Sequence, residues 1–350
     1  MPAGDIYLIR DLDLRTGVEI DYLKIGLTKP NDTDARIAKH QTGNPRLITK
    51  KWSGVVPNKS AIETHLHHYF SSDRIRGEWF WIDDARMNAE VIPKINSLVA
   101  EYTAHEANLA IQATLKSTND NGVSRAANAA ETLLVGQLQT AMNELEKAKK
   151  QQAVHEFTLK TLLGTSGGID GVGTLTEVAG RASFDEDGFL ASLSSSDKAQ
   201  CVHPTKTVRV ATPNWKIKAG KLATLNATLA AAHSTAKSAA PKTIPLTQVG
   251  TPAIPRTPTI ETEHQSWLDT RRDIKENEWK IAKLKTEILV SLGADKEIKD
   301  VVTWERYDET KTDVFDKKLA TEHFETQVAA FTTTGNPTTR FTISSGRGYP

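Results

Sequence analysis

Gly4-Asp5-Ile6-Tyr7-Leu8-Ile9 and Asp21-Tyr22-Leu23-Lys24-Ile25-Gly26-Leu27-Thr28 decide the fold of the first quarter of this 350-residue chain. Both runs read as buried strands, and the Asp, Arg, Thr and Gly17 between them are turn residues, so the pair predicts a hairpin. Asp34-Ala35-Arg36-Ile37-Ala38-Lys39-His40-Gln41 then predicts a helix with an acidic start, ended by Gly43-Asn44-Pro45. Arg36 and His40 are four apart and leave the same helix face. A third strand, about 47–56, leads through Pro57-Asn58-Lys59-Ser60 into a second helix over 61–70. Gly77-Glu78-Trp79-Phe80-Trp81-Ile82 closes a ββαβα unit. Tyr7, Tyr22, Trp52, Tyr69, Phe70, Trp79, Phe80 and Trp81 all fall before residue 84, so this segment can build a dense core.

Composition excludes several classes. The 44 Lys and Arg against 43 Asp and Glu give a net charge of +1, which argues against a protein that coats nucleic acid by bulk electrostatics. No apolar run approaches the roughly 18–20 residues of a membrane span, so no membrane role is expected. One cysteine, Cys201, can form neither an internal disulfide nor a Cys-rich zinc site, and Met-Pro-Ala-Gly-Asp lacks a signal-peptide pattern. A cytoplasmic location is the expectation. Resolved by segment, however, residues 36–76 carry Arg36, Lys39, Arg46, Lys50, Lys51, Lys59, Arg74 and Arg76 against only Glu63 and Asp73. That local excess is a candidate DNA-binding face.

The rest of the chain predicts helices over about 85–120 and 125–163, with Pro93 kinking or restarting the first. Residues 216–239 read as a short helix or as disorder. Pro241, Pro245, Pro252, Pro255 and Pro258 mark an extended linker that should hold neither helix nor ladder. Segments on either side of it match: Leu162-Leu163-Gly164 with Ser291-Leu292-Gly293, Phe184-Asp185 with Phe315-Asp316, and Thr207-Val208-Arg209-Val210 with Thr339-Arg340-Phe341-Thr342. Two tandem copies of a long-helix-plus-small-sheet module are the economical explanation. Heptad-spaced Leu138, Leu145 and Leu159, and Trp267, Ile274, Ile281 and Ile288, read as single helices each lying on its own sheet rather than as a coiled coil or a helical hairpin. Asp185, Arg209, Asp316 and Arg340 read as salt bridges between strand ends rather than as a nuclease site, since the matched positions supply one acid per copy without a clustered second acid or Lys among them.

The N-terminal residues resemble the GIY-YIG nucleases, in a compact phage and bacterial branch, over residues 4–83. The resemblance is carried by Ile6-Tyr7, Lys24-Ile25-Gly26, Arg36, Thr42-Gly43-Asn44-Pro45, Glu63 with Leu66-His67, and Gly77-Glu78-Trp79-Phe80. It implies metal-dependent hydrolysis of DNA phosphodiesters, in the cytoplasm of a host if phage-encoded. Glu63 would bind Mg²⁺ or Mn²⁺ through a hard carboxylate oxygen, and Arg36 would meet the charge that grows on phosphate oxygens. Tyr7 would act on the attacking water, its ordinary pKa near 10 lowered by a nearby cation. Lys24 departs from the usual tyrosine of the second motif and would be that cation. Gly26 would allow backbone or substrate to come close, and His40 would shuttle a proton or contact phosphate. Taken singly, Tyr7 reads as a core tyrosine, Glu63 as a solvated helix carboxylate and Arg36 as a surface ion pair. His65, His67 and His68 read as packing or DNA contacts, since no further ligand completes a zinc site. Glu78 is either a second acid near the site or a turn cap.

The C-terminal copies resemble the accessory region of phage lambda-exonuclease-like recombinases, whose catalytic acids and lysine have no counterpart here. They imply modules that bind DNA, a protein partner or another copy of the chain. The expectation is therefore an α+β protein: a nuclease domain at 1–96, a helical connector at 97–124, a first module at 125–213, a linker at 214–262 and a second module at 263–350. A DNA endonuclease is the leading reading. A catalytically inactive DNA-binding or assembly protein that keeps the fold is the alternative.

Overall fold

The computed structural model describes residues 2–42 and 44–347. Gly43 of the expected helix-ending turn lies outside them. The chain is α+β throughout. The predicted hairpin is β1 (Gly4–Asp13) and β3 (Tyr22–Thr28), with a two-residue strand, β2 (Val18–Glu19), between them. Strand β4 (Leu47–Val56) lies antiparallel on the other side of β1. Strands β5 (Arg74–Arg76) and β6 (Trp79–Trp81) extend the sheet beyond β3. The two expected helices are α1 (Thr33–Gln41) and α2 (Lys59–Tyr69).

Alternation along β1 and β3 sorts the residues onto two faces. Ile6, Leu8, Leu23 and Ile25 pack on Ile62 and Leu66 of α2 and on Leu98 and Tyr102 of the following helix, α3 (Ile92–Ser117). Burying each such side chain contributes roughly 1.5–3 kcal/mol. Tyr7 and Ile9 face the other way, against Ile48 and Ile37 of α1. Arg10 is fully buried and binds Asp84 (2.8 Å) and the carbonyls of Ile20 and Ile82, tying the hairpin to the closing strand.

The boundary expected at residue 96 falls inside α3, whose Leu98 and Tyr102 belong to the N-terminal core. Pro93 restarts the helix, one of the two outcomes expected of it. It sits in the first turn, where a missing N–H costs nothing, directly after a π turn at Met87–Val91.

Beyond α3, two long helices recur 129 residues apart. Helices α4 (Ala129–Leu163) and α5 (Pro258–Leu292) are each 35 residues, begin on the capping side chains of Asn128 and Thr257, and end at Gly164 and Gly293 with φ of 61° and 62°. They pack antiparallel on each other, as Glu131–Ser291 and His155–Glu263 contacts at opposite ends show. The heptad residues thus serve a helix pair, because Leu138 and Ile288 share one core. Strands are exchanged between the halves. Val202–Val210 pairs with Tyr307–Phe315, Ala182–Phe184 with Thr332–Thr334, and Gly173–Val178 with Thr338–Ile343.

Of the two readings of residues 216–239 the helix is the one found, and 241–257 carries no α-helix, only a 3-10 turn at Leu246–Gln248 and one bridge. Helix Ala227–Ala239 packs beside α4, and Pro258 opens α5 as a first-turn proline instead of preventing a helix. Ile254 bridges Ile169, while Ile244 and Val249 join the core of the first half. Asp185 and Asp316 are not strand-end ion pairs to arginine. Each caps a helix, accepting from the Gly188 N–H and from the Lys318 and Leu319 N–H groups. Arg209 instead donates to the carbonyls of Lys116 and Thr118 at the end of α3 and pairs with Asp308, and Arg340 is exposed.

The N-terminal unit is docked on α5. Trp279 stacks on Tyr102 with ring centroids 4.0 Å apart, Glu276 accepts from His65 (2.5 Å) and Lys94 (3.0 Å), and the Ser71 hydroxyl donates to Leu268 O. Among the described residues, no helix is long and apolar enough to cross a membrane.

Candidate active site

Tyr7 and Gly26 are directly opposed residues of β1 and β3, and Lys24 lies two residues along the same face. The Tyr7 ring crosses Gly26 so closely that a β-carbon there would lie 2.5 Å from the ring. Gly26 was expected to admit backbone or substrate; here it admits the tyrosine. Strand β6 pairs with β3 over Tyr22–Lys24 and the Ile25 N–H donates to Glu78 O, so the β3 edge is covered through Ile25. His67, its ring tilted against Phe80, takes up the Ile25 carbonyl at 2.9 Å.

The Tyr7 hydroxyl is 3.0 Å from His40 Nε2. Burial raises the phenol above its ordinary range, with Glu78 and Glu63 adding to the effect and Arg36 opposing it. Tyr7 is therefore not made a phenolate by Lys24, as the sequence suggested. Lys24 is instead paired with Glu78 at 3.1 Å and lies 5.9 Å from the Trp79 ring. His40 is pushed down by burial and then by the Lys24 and Arg36 charges, so it is neutral and can accept the Tyr7 proton.

Glu63 is half-buried on α2. Desolvation first, and then the Glu78 charge, raise its carboxyl to about 7, against the opposing charges of Lys24 and Arg74. Glu78 is thus a second acid near the site, the reading that the sequence left even with a turn cap. Arg74 joins this group electrostatically and is anchored by donation to Gly77 O at 2.5 Å.

The expected basic face is thinner than its count. Lys50 is paired with Asp34 at 2.5 Å, and Lys51 with Glu19 at 2.7 Å and Asp84 at 3.1 Å. Lys59 donates to Thr28 O, its stem filling the space beside Gly4. Arg36, Lys39 and Arg76 are exposed, Arg46 is half-buried, and among the described residues none of the four has an ion pair. His65 and His67 have structural partners, and His68 has an unpartnered Nδ1. Among the described residues no cluster of three or more His, Cys, Asp or Glu could hold a metal ion.

Residues 5–98 match the T5orf172 domain, a family associated with phage nuclease domains. No curated protein and no solved structure matches the chain. The match covers the sheet, both helices packed on it and the first turns of α3, and it is suggestive of nucleic acid as the partner of this domain.

Proposed function

We propose that the N-terminal domain is a GIY-YIG-type, metal-dependent DNA endonuclease. The reading rests on one observation: the Tyr7–His40 pair, Arg36 and the desolvated Glu63 carboxylate converge around the Tyr7 ring where it crosses Gly26. A carboxylate that burial and a like charge render basic is one that a dication stabilises in its ionised form. A site of one or two protein oxygens suits Mg²⁺ or Mn²⁺, which keep several waters, better than zinc. Glu63, with Glu78 nearby, would hold it. When bound, the ion supplies Lewis-acid polarisation of the phosphoryl oxygen and lowers the pKa of water.

The chain's own residues do the rest. Arg36 presents a fork of donors to the phosphate oxygens as their charge grows. The phenol of Tyr7 orients the attacking water and passes its own proton to His40 Nε2 as it receives one. Gly26 fixes the ring position from which this is done. Lys24, tethered by Glu78, moderates the negative charge around Glu63. The C-terminal halves, which we read as copies of one duplicated unit, position DNA or a partner for this small site.

The test is cleavage of single-stranded, double-stranded and branched DNA in Mg²⁺ or Mn²⁺. Wild type is expected to cut or nick at least one, and Glu63→Ala and Arg36→Ala to abolish it with unchanged circular dichroism. A wild-type protein that binds this panel but cuts none of it overturns the enzyme reading in favour of a DNA-binding or assembly protein. Independently of turnover, Mg²⁺ should raise the melting temperature more at pH 8 than at pH 6, because below about 7 it must displace the Glu63 proton. Glu63→Gln should remove that increment.

A further inference from the structure

Where β5, the end of α2, α5 and the C-terminal segment meet, Arg74 and Arg271 gather, and of the two only Arg74 has acids near it, Glu63 and Glu78. Arg74 Nη1 approaches Ser345 Oγ at 3.5 Å, and neighbouring Ser344 accepts from His264 of α5 at 3.0 Å. His264 stacks on Trp267, whose ring lies 5.0 Å from the guanidinium of Arg271. The Ser71–Leu268 bond fixes the register of α5 against α2, one turn before Arg271.

On the same helix Lys275 is paired with Glu278 at 2.7 Å and Arg272 with Asp273 at 3.6 Å. Arg271 has no carboxylate partner among the described residues; its charged neighbour is another cation, Arg74. Three further polar atoms stand buried and unpartnered in this corner, the Trp267 indole Nε1, His68 Nδ1 and His264 Nδ1. An indole N–H only donates. Burial, and then the charges of Arg271, Lys275 and Arg74, depress His68 to about 4, as a positive local potential requires. A guanidinium without a carboxylate partner, beside a second guanidinium and an orphan donor, is the chemistry that receives an anion.

We propose that Arg271, Trp267 Nε1 and Arg74 form a phosphate-binding subsite that takes a backbone phosphate of the nucleic-acid strand. Arg74 selects this source over a free phosphate. It interacts electrostatically with Glu63 and Glu78 on one side and with Arg271 on the other, so one strand can pass from the candidate active site onto α5. The inference rests on the nucleic-acid reading of the N-terminal domain but not on its turnover. It also gives a reason for the docking of that domain on α5, since without α5 the subsite loses two of its three donors.

The experiment measures affinity of the full chain for a labelled DNA oligonucleotide against salt, in the absence of divalent metal. Arg271→Gln should weaken binding about tenfold and reduce the slope of log K against log salt by about 0.9 for duplex or 0.7 for single strand. Trp267→Phe, which keeps the ring and removes the N–H, should cost about fivefold. In the free protein Arg271→Gln should leave the melting temperature unchanged or raise it, since a like-charge contact is relieved. Unchanged affinity and salt slope in Arg271→Gln overturn the proposal. So does a variant that loses inorganic phosphate binding while keeping DNA binding, which would assign the subsite to a free phosphate ligand. If wild type binds DNA without cutting it and Arg271→Gln still binds more weakly, the endonuclease reading fails and the subsite stands.

Discussion

Helices α4 and α5 are equal in length, capped alike at both ends and packed against each other, yet their outer faces serve different ends. On α5, Glu276 and Trp279 hold the N-terminal domain through His65, Lys94 and Tyr102. The positions 129 residues earlier on α4 are Lys147 and Lys150, paired with Glu144 and Glu146 of their own helix. Arg271 likewise corresponds to Met142, which packs on the core shared by both helices. The backbone is held in common while a few side chains on one face decide which half receives the domain. A similar contrast appears inside. Glu131 is fully buried on α4, held by Arg125 at 2.6 Å and by the Asn128 N–H of its capping box, whereas its counterpart on α5 is the buried, apolar Ile260.

Three measurements probe this contrast between the helices. Trp279→Ala removes a stacked and largely enclosed indole and should cost about 3–5 kcal/mol in urea unfolding, whereas Lys150→Ala should stay within about 0.5 kcal/mol. Similar costs at both positions would mean that the domain does not depend on the face of α5. Next, Glu131 has its carboxyl held at about 2, chiefly by the Arg125 hydrogen bonds. Its folded pKa lies below its unfolded one, so its stabilisation is complete above about 4.5 and disappears as pH falls toward 2. Glu131→Gln should therefore cost about 3 kcal/mol near neutrality and almost nothing at pH 2. An equal penalty at both pH values would show that shape, not charge, is what the first half needs there. The smallest effect concerns a feature that the halves share: Asp185→Ala and Asp316→Ala each remove a helix cap and should each lower stability by about 1 kcal/mol. A large disparity between them would weaken the equivalence of the halves.

Much of the N-terminal fold could be read from local pattern. Ile6 to Ile9 and Leu23 to Leu27 specify strands because apolar runs bounded by turn residues have few other solutions, and Tyr7, His40 and Arg36 follow from the resulting faces. What remained hidden depends on distance along the chain. Glu78 reveals its influence on Glu63 only once β6 returns beside β3, and Lys50, Lys51 and Lys59 lose their freedom to partners that a charge count does not see. His65 and Glu276 are separated by 211 residues, and no local rule joins them. Strand exchange is invisible for a different reason. A strand such as Val202–Val210 has the same local sequence whether its partner comes from its own half or from the other. The prolines at 241–255 do mark a stretch without α-helix, whereas Pro258 opens one, because proline forbids a helix interior but favours a helix start.

The exchanged strands also set an order of events during synthesis. Val202–Val210 leaves the ribosome about 100 residues ahead of Tyr307–Phe315, and at about 5–20 residues per second it waits on the order of 5–20 s for its partner. Through that interval the first half presents an unsatisfied strand edge, the kind of surface on which nascent chains associate wrongly. The N-terminal sheet, complete by residue 81, bears no such delay in its own strands, whereas its seat on α5 is made only later. The nuclease-like domain is thus built early and positioned late.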